Sequence, residues 1–351
     1  MKLTQKQKAE RKKLLQKHVE HIDIKKHDTR KLIRDMSNMS FSARDLARAS
    51  EIYDRMLKDK DCTIFLTLAG STSAAGCMQI YVDLVKNNMV DVIVATGASI
   101  VDMDFLEALG FHHYIGSPRE DDGKLRKLYI DRIYDTYIDE YQLQKCDFTI
   151  KKIADSLEKR PYSSHEFIRH MGKWLKENPA KAKKKNSLVQ AAYENDVPII
   201  CPAFVDSSAG FGLVAHQVAQ RNTSVSIDGV KDFHDLTQIK MASKTSGVLM
   251  IGGGVPKNFT ADTVVCAEIL GHDVPMHKYT VQLTVADVRD GALSGSTLEE
   301  AHSWGKVDRT YEQMVFTEAT ATLPLLAGYA YHTGSWKKRK KRKLSKMIDP
   351  V

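Results

Sequence analysis

The sequence CTIFLTLAGSTSAAG occupies residues 62–76 and joins an uninterrupted apolar run to a loop of small residues. An apolar run without polar alternation is typical of a strand that is covered on both faces of a sheet. A helical pattern follows over residues 74–87, so the segment predicts a strand, a tight loop and a helix in succession. This is the repeating unit of a parallel sheet.

The same unit recurs toward the C-terminus. Further strands are predicted at 90–96, 197–203, 223–227, 246–252, 278–285 and 313–317, and helices at 230–242, 260–270 and 320–331. Alternating strands and helices indicate the α/β class, with a doubly wound, mostly parallel, Rossmann-like sheet.

One domain with extensions is the expected organisation of the 351 residues. An N-terminal helical arm covers residues 1–60, and its lysine-rich start, 1–22, is expected on the outside of the molecule or on a neighbouring subunit. The body covers 61–332 and contains a helical insertion at about 133–186. Residues 333–351 form a basic tail.

The basic tail accounts for the positive charge of the chain. The net charge is +8, from 52 basic and 44 acidic residues, yet residues 337–346 alone, KKRKKRKLSK, contain eight Lys or Arg. The rest of the chain is therefore close to neutral. A disordered, solvated tail is expected, and weak attraction to nucleic acid or to an acidic partner is the alternative.

The cysteines and the N-terminal residues indicate the cellular compartment in which the protein is expected. The five cysteines are scattered without a CxxC pair, and no HExxH motif is present, so neither a disulfide framework nor a metal site is expected. Residues 1–22 lack the apolar segment of a secretory signal, and no run reaches the ~18 apolar residues of a membrane span. A cytoplasmic protein is expected.

Three glycine-containing loops follow predicted strands: LAGSTSAAG at 68–76, ATGAS at 95–99 and IGGGVP at 251–256. Ligands of doubly wound sheets bind outside the carboxyl ends of the strands, where free N–H groups and helix N-termini suit phosphate. Three such loops favour a nucleotide cofactor, although tight packing between strand and helix would explain any one of them.

Four acids also follow strands. Asp102 and Glu318 could accept hydrogen bonds from a ribose, or could be helix N-terminal acids favoured by the helix dipole. Asp206 and Asp290 lie in turn signatures, which leaves a purely structural role equally open.

Lys306 lies in the stretch EEAHSWGKVD, residues 299–308. Imine chemistry requires a neutral amine, whereas a free lysine titrates near ~10.4. An apolar wall disfavours the ammonium form, and Trp304 could supply such a wall. Spacing alone does not separate a catalytic amine from a solvated surface lysine.

A series of motifs resembles the deoxyhypusine synthase family, which also includes homospermidine synthases. The resemblance covers about residues 64–326, and its most specific parts are GGGVPK and SWGK. The motifs, in chain order, are TLAGSTSAAG, MVDVIVATGAS, ICPAFVDSSAG, LMIGGGVPK, DGALSG, EEAHSWGK and EATATLPLL.

The resemblance implies a reaction. In that family NAD oxidises spermidine, a lysine captures the aminobutyl group as an imine, and the group passes to an acceptor amine. The acceptor is a lysine of a translation factor or, in homospermidine synthases, putrescine. The resemblance further implies a homotetramer with sites shared between subunits, in which the N-terminal arm can cover the site of a neighbour.

The same resemblance assigns residues. Lys306 occupies the position of the imine-forming lysine, and Glu300 and Trp304 match residues that line the polyamine site. The positions that fall on NAD-binding segments are Ser71, Thr72, Thr96, Gly97, Asp102, Asp206, Gly253, Asp290, Gly291, Glu318 and Ala319.

The polyamine site departs from the family at three positions. Phe211 stands where an acid is usual, Asn258 where a histidine follows the triple-glycine loop, and Leu293 where an Asp lies inside the DG turn. In one interpretation, the residues of the pocket are shifted in register relative to the family and the reaction is unchanged. The favoured one keeps the cofactor and the lysine but changes the amine donor or acceptor.

Two further hypotheses remain open at this stage. One is an enzyme on the same scaffold that acts on an amine or guanidine without redox chemistry. The other is a non-enzymatic binding protein whose function lies in its basic tail.

Overall fold

A computed structural model describes residues 3–180, 186–220 and 223–348. The strands are β1 (Cys62–Leu68), β2 (Val92–Ala95), β3 (His113–Ile115), β4 (Ile130–Ile133), β5 (Thr136–Asp139), β6 (Pro161–Tyr162), β7 (Ile199–Ile200), β8 (Ser226–Ile227), β9 (Thr245–Ile251), β10 (His277–Thr284) and β11 (Val307–Phe316).

The helices α1–α8 are Gln5–Leu14, Arg30–Met36, Phe41–Lys58, Met78–Lys86, Leu106–Ala108, Asp122–Lys127, Glu140–Ser156 and Ser164–Glu177. The helices α9–α16 are Leu188–Asn195, Ser208–Ala219, Gly229–Met241, Gly254–Ala261, Thr263–Ile269, Leu298–Ser303, Ala319–Thr333 and Ser345–Ile348. Short helical turns cover Ile24–Lys26, Ser73–Cys77, Ala98–Phe105 and Ser335–Lys338.

Six parallel strands form the central sheet in the order β11-β10-β9-β1-β2-β7. Counted by their place in the chain, this is the 3-2-1-4-5-6 order of doubly wound folds, in which the winding reverses between the first and fourth strands. The reversal falls between β1 and β9. The predicted α/β class with a doubly wound, mostly parallel sheet is confirmed.

The core lies on both faces of this sheet. Along β1 the side chains of Ile64, Leu66 and Leu68 belong to one apolar cluster, whereas Phe65 belongs to another. Successive strand residues point to opposite faces, so a strand covered on both sides is mostly apolar, and the two threonines of β1, Thr63 and Thr67, are buried with the rest. This explains the unbroken run with which the strand begins.

Two small sheets lie outside the central one. The strands β3, β5 and β4 pair antiparallel, and β6 pairs with β8. The strand predicted at 223–227 is therefore not part of the central sheet, because Ser226–Ile227 pairs with Pro161–Tyr162 instead. The insertion is mainly helical, in α7 and α8, but it also contains β5 and β6.

The N-terminal arm packs against its own chain. The guanidinium of Arg11 donates to the carbonyls of Leu128 and Tyr129 at 2.5 and 2.6 Å and forms an ion pair with Asp139. Leu14 and Leu15 pack on the apolar cluster beneath the three-stranded sheet. This part of the arm therefore lies against the body of its own chain.

The basic tail is packed rather than disordered. The guanidinium of Arg339 lies 2.5 Å from Asp91 Oδ2 and donates to the carbonyls of Asn88 and Cys62. Ile348 is buried. The expectation of a disordered tail is wrong for residues 333–348, because a buried carboxylate of the body needs a cation; residues 349–351 lie outside the described part.

Within the described residues, no helix is both long and apolar enough to cross a membrane.

Candidate active site

A crevice opens at the carboxyl ends of β1 and β9, where the strand order reverses. Its volume is about 350 Å³, and residues 69–72 and 252–253 line it from two sides. Gly70 and Gly252 have φ of +77° and +72°, a region that side chains with a Cβ rarely adopt. Five predicted cofactor residues line the crevice: Ser71, Thr72, Gly253, Glu318 and Ala319.

The crevice has the features that suit the phosphate groups of a nucleotide. It lies at the switch point of the sheet, its walls are small residues, and Gly253 directly precedes the N-terminus of α12. Glu318 caps α15, with Oε2 accepting from the Ala321 N–H at 3.2 Å and from the Thr320 hydroxyl. Both capping bonds use one carboxylate oxygen, so the helix-cap role is observed and a second role is compatible with it.

Four other predicted cofactor residues form a separate group beside the crevice. Thr96 donates to Ser99, whose hydroxyl donates to the Gly70 carbonyl at 3.1 Å, which ties the second glycine loop to the first. Gly97 lies against Ser207, whose Oγ would be 2.6 Å from an added Cβ. Neither Thr96 nor Gly97 lines the crevice.

Asp102 and Asp206 complete this group. Asp102 accepts from the Ser208 N–H at 2.6 Å, at the start of α10, and burial raises the pKa of this carboxyl to about 6 despite the hydrogen bond. Asp206 is exposed. Asp102 thus accepts a hydrogen bond at a helix N-terminus, and its predicted cofactor role stays a prediction.

Asp290 and Gly291 lie in the exposed loop that follows β10. Asp290 accepts from the Ala292 N–H at 2.7 Å, and Gly291 has a φ of +73°. The loop brings Ser294 so close to Gly253 that a Cβ on this glycine would lie 2.5 Å from the Ser294 Cα. These two residues shape the loop above the crevice but do not line it.

Lys306 lines a second pocket, of about 540 Å³. Its side chain is only 12% exposed, and Nζ lies 2.5 Å from Asp262 Oδ1 and 3.4 Å from Asn258 Oδ1. The same nitrogen lies 4.9 Å from the centre of the Trp304 ring. Lys306 is therefore not one of the solvated surface lysines.

Local structure explains this position. Thr297 and Glu300 form a reciprocal cap at the start of α14, which fixes the short helix before the lysine. Gly305, with a φ of +71°, ends the helix, and the Lys306 carbonyl accepts from the His277 N–H. The lysine is thus held between the end of α14 and the first residue of β11.

Four of the five predicted substrate residues line the Lys306 pocket: Glu300, Trp304, Asn258 and Leu293. Phe211 does not. It lies on α10 and is 67% exposed, in a row with the exposed Val214 and Val218. The pocket of a single chain therefore contains the lysine end of the predicted substrate site without Phe211.

Two residues of the Lys306 pocket were not predicted from the sequence. Lys257 is buried, and its ammonium donates to Gln282 Oε1 at 2.9 Å and to the Ser296 carbonyl; burial lowers the pKa of Lys257 to about 8. Asp262 is the ion-pair partner of Lys306. Both carried a usable signal, since Lys257 closes the GGGVPK motif and Asp262 lies four residues after Asn258 on a predicted helix.

The crevice and the Lys306 pocket share two walls. Helix α12 begins at the crevice and leads to Asn258 and Asp262, over about 12 Å. In the loop after β10, Ser294 faces the crevice, whereas Leu293 and Ser296 line the Lys306 pocket.

The lysine itself is far from the end of its own strand. Lys306 precedes β11 and Glu318 follows it, so the ten residues of this strand place them roughly 30 Å apart.

Comparisons with known proteins agree on one family. The family model described as "Deoxyhypusine synthase" matches residues 31–330. The "Deoxyhypusine synthase-like protein" of Coxiella burnetii is 66% identical over 336 residues, covering 96% of this chain and 95% of the relative. The "Probable deoxyhypusine synthase 2" of Methanosarcina mazei is 39% identical and covers 89% and 88%.

A solved structure supports the fold. The crystal structure assigned as a deoxyhypusine synthase from Entamoeba histolytica superposes with a TM-score of 0.60 and 18% identity, covering 92% of this chain and 99% of that one. The family match and the identities above confirm the resemblance drawn from the motifs. The chain belongs to the deoxyhypusine synthase family.

Proposed function

We propose that the protein is an NAD-dependent transferase that moves an aminoalkyl group, such as aminobutyl, from a polyamine to an acceptor amine through an imine on Lys306. The observation that carries this proposal is the setting of Lys306. It is a shielded lysine against a tryptophan ring, and α12 and the loop after β10 connect its pocket to a crevice suited to a dinucleotide.

The chemistry that bound NAD would supply is removal of a hydride from the carbon next to the reacting nitrogen, so that the amine becomes an imine, and the later return of that hydride. Lys306 Nζ then adds to that carbon, the original carbon–nitrogen bond breaks, and the departing amine leaves with a proton. An acceptor amine adds to the same carbon in turn and releases Lys306, and return of the hydride would reduce the resulting imine to the product amine, so the whole transfer is redox-neutral. The Trp304 face suits an alkyl-ammonium chain next to the lysine.

The crevice residues would hold NAD, and the pocket residues would position the amine. Ser71, Thr72 and Gly253 offer backbone and hydroxyl groups to phosphate, and Glu318 offers a carboxylate to a ribose. Lys257 links α12 to β10 and to the loop that separates the two cavities. Its proposed role is to hold the shared wall in place.

The donor and acceptor are proposed to differ from those of the spermidine-dependent members. The Lys306 pocket contains Asn258 and Leu293 where the family places a base and an acid, and Phe233, Val265 and Ile269 make much of its wall apolar. Such a wall favours a substrate with fewer charges than spermidine. A translation-factor lysine and putrescine remain the two candidate acceptors.

A homotetramer with shared sites is part of the proposal. Phe211, Val214 and Val218 form an exposed apolar row on α10, here called the α10 stripe, which suits burial against another copy. The separation of roughly 30 Å along β11 also leaves room for a neighbour to complete a site. A cytoplasmic location and weak tail contacts with nucleic acid stay predictions.

The test is covalent trapping. Full-length protein is incubated with NAD and spermidine or putrescine, reduced with borohydride, and digested for mass spectrometry. An aminoalkyl adduct on Lys306 is expected, with none in Lys306→Ala and an unchanged yield in Lys244→Ala, an exposed lysine. Activity should fall by about a thousandfold or more in Lys306→Ala.

Two results would favour the alternatives. If a broad amine panel yields no adduct and NAD fails to raise Tm, a diverged enzyme without redox chemistry, acting on an amine or a guanidine, becomes the better reading. If Lys306→Ala leaves the biological effect intact while removal of residues 337–351 abolishes it, the function lies in the tail.

A further inference from the structure

Asp262 interacts with two polar side chains of the Lys306 pocket. It lies between α12 and α13, where Oδ1 is 2.5 Å from Lys306 Nζ and Oδ2 accepts from Asn258 Nδ2 at 2.6 Å. Both carboxylate oxygens are thus occupied by groups of the same chain. Its side chain is still partly accessible from the pocket, so an incoming ligand can reach it.

The other charges of the pocket are held more firmly. Among the lining residues described, the carboxylates are Asp262 and Glu300 and the ammonium groups are Lys257 and Lys306. Lys257 is buried between Gln282 and the Ser296 carbonyl, and Glu300 takes part in the cap of α14. The pair Lys306–Asp262 is the ion pair that a cationic ligand can open without breaking a buried network.

The pairing has a chemical consequence. An adjacent carboxylate favours the ammonium form of a lysine over the neutral amine, and the ammonium form is not a nucleophile. A cationic nitrogen of the substrate that binds the same carboxylate would remove this stabilisation and would add a like charge nearby. Both changes favour the neutral amine.

We propose that Asp262 is the carboxylate that recognises a charged nitrogen of the substrate, and that in the free protein its ion pair occupies Lys306 Nζ until the substrate displaces it. This inference rests on the proposed imine chemistry of Lys306. It assigns a substrate class: an alkyl chain that fits the apolar wall and carries an ammonium or guanidinium group beyond the carbon that Lys306 attacks.

The proposal also accounts for the pocket positions at which this chain differs from the family. Asn258 and Leu293 cannot supply a negative charge, whereas Asp262 lies one helical turn after Asn258 and is hydrogen-bonded to it. A single carboxylate close to Lys306 then takes the place of charged groups that the family distributes around the pocket. This arrangement suits a substrate with one charged nitrogen on this side of the pocket.

The variant Asp262→Asn separates recognition from reactivity, since it keeps the shape of the side chain. The first readout is the affinity for putrescine and spermidine in the presence of NAD, by calorimetry on the full-length protein. About tenfold to a hundredfold weaker binding is expected, because a charge-assisted contact is lost. The second readout is borohydride trapping of butanal, an uncharged aldehyde that needs neither NAD nor an amine site.

The two readouts should move in opposite directions. Trapping of butanal on Lys306 at pH 7 should be faster in Asp262→Asn than in the unmodified protein, and Asp262→Glu, which keeps the charge, should stay slow. Glu299→Gln is the matched control, because it removes a neighbouring carboxylate that pairs with Arg309 outside the pocket. It should change neither readout.

Slower trapping in Asp262→Asn would mean that Asp262 accepts the lysine proton and would overturn the proposal, as would unchanged amine affinity. Failure of the unmodified protein to trap butanal on Lys306 between pH 7 and 10 would overturn the imine function itself. The two failures are therefore distinguishable.

Discussion

At the scale of single residues, Lys257 shows how burial changes the chemistry of an amine. Its ammonium has good partners in Gln282 and the Ser296 carbonyl, yet burial still lowers its pKa to about 8. A lysine in the unfolded chain titrates near ~10.4. Between these two pH values the unfolded state binds more protons, so a rise in pH favours the folded state.

Lys257→Met should therefore change how stability depends on pH. As pH rises from about 8 to about 10, the unmodified protein should gain up to about 3 kcal/mol of unfolding free energy relative to the variant. Urea unfolding at pH 7.5 and 10 measures this difference. Lys244→Met, at an exposed lysine, should show no such divergence. Parallel stability curves for Lys257→Met and the unmodified protein would contradict the lowered pKa.

At the scale of elements, the strands of the central sheet were predictable because their signal is local. For β1, β9 and β10 the predicted and observed bounds differ by one residue at most. The strand β11 is longer than predicted, since residues 308–312 of its first half are mostly polar and lie partly or fully exposed at the sheet edge. The small sheets were missed because strands of two to four residues are too short to leave a clear pattern, and because β6 pairs with β8, which is distant in sequence.

The composition of the basic tail gave a wrong prediction of its structure. A run of lysine and arginine predicts a solvated segment, but Arg339 reaches Asp91, whose side chain is only 2% exposed and also accepts from the Ile64 N–H at 2.8 Å. A run of basic residues becomes ordered where the rest of the protein provides a buried carboxylate for one of them.

Arg339→Ala should lower the unfolding free energy by about 3–5 kcal/mol, because it removes the closer of the two arginines that pair with the buried Asp91 and leaves only Arg342, 3.8 Å away. Thermal or urea unfolding provides the measurement. Lys340→Ala, at the next and exposed position, should change stability by no more than about 0.5 kcal/mol. Equal stability of the two variants would show that the tail is not anchored through this ion pair.

At the scale of the whole molecule, the α10 stripe bears on assembly. Phe211, Val214 and Val218 point outward on a single chain, although the resemblance assigns Phe211 to the substrate site. A shared site would reconcile these two observations, since a residue exposed on one copy can line the pocket of another. This is a prediction about the assembly.

Phe211→Asp should dissociate the assembly, because it places a charge in the apolar contact. Light scattering after size-exclusion chromatography should report a smaller mass, and transferase activity should fall together with it. Val230→Asp, at an equally exposed valine on α11, should leave the mass unchanged. An unaltered mass for Phe211→Asp would remove the α10 stripe from consideration as the interface.

The sequence by itself determined the sheet, the glycine loops at its carboxyl edge and the family, because strands covered on both faces and tight loops leave local patterns. It also singled out Lys306, although only through the motif that contains it. Tertiary structure alone decided that Lys306 pairs with Asp262, that Lys257 is buried, that Phe211 lies outside the pocket and that the tail is anchored. Each of these depends on which residues distant in sequence meet, and burial, charge pairing and reactivity follow from that meeting.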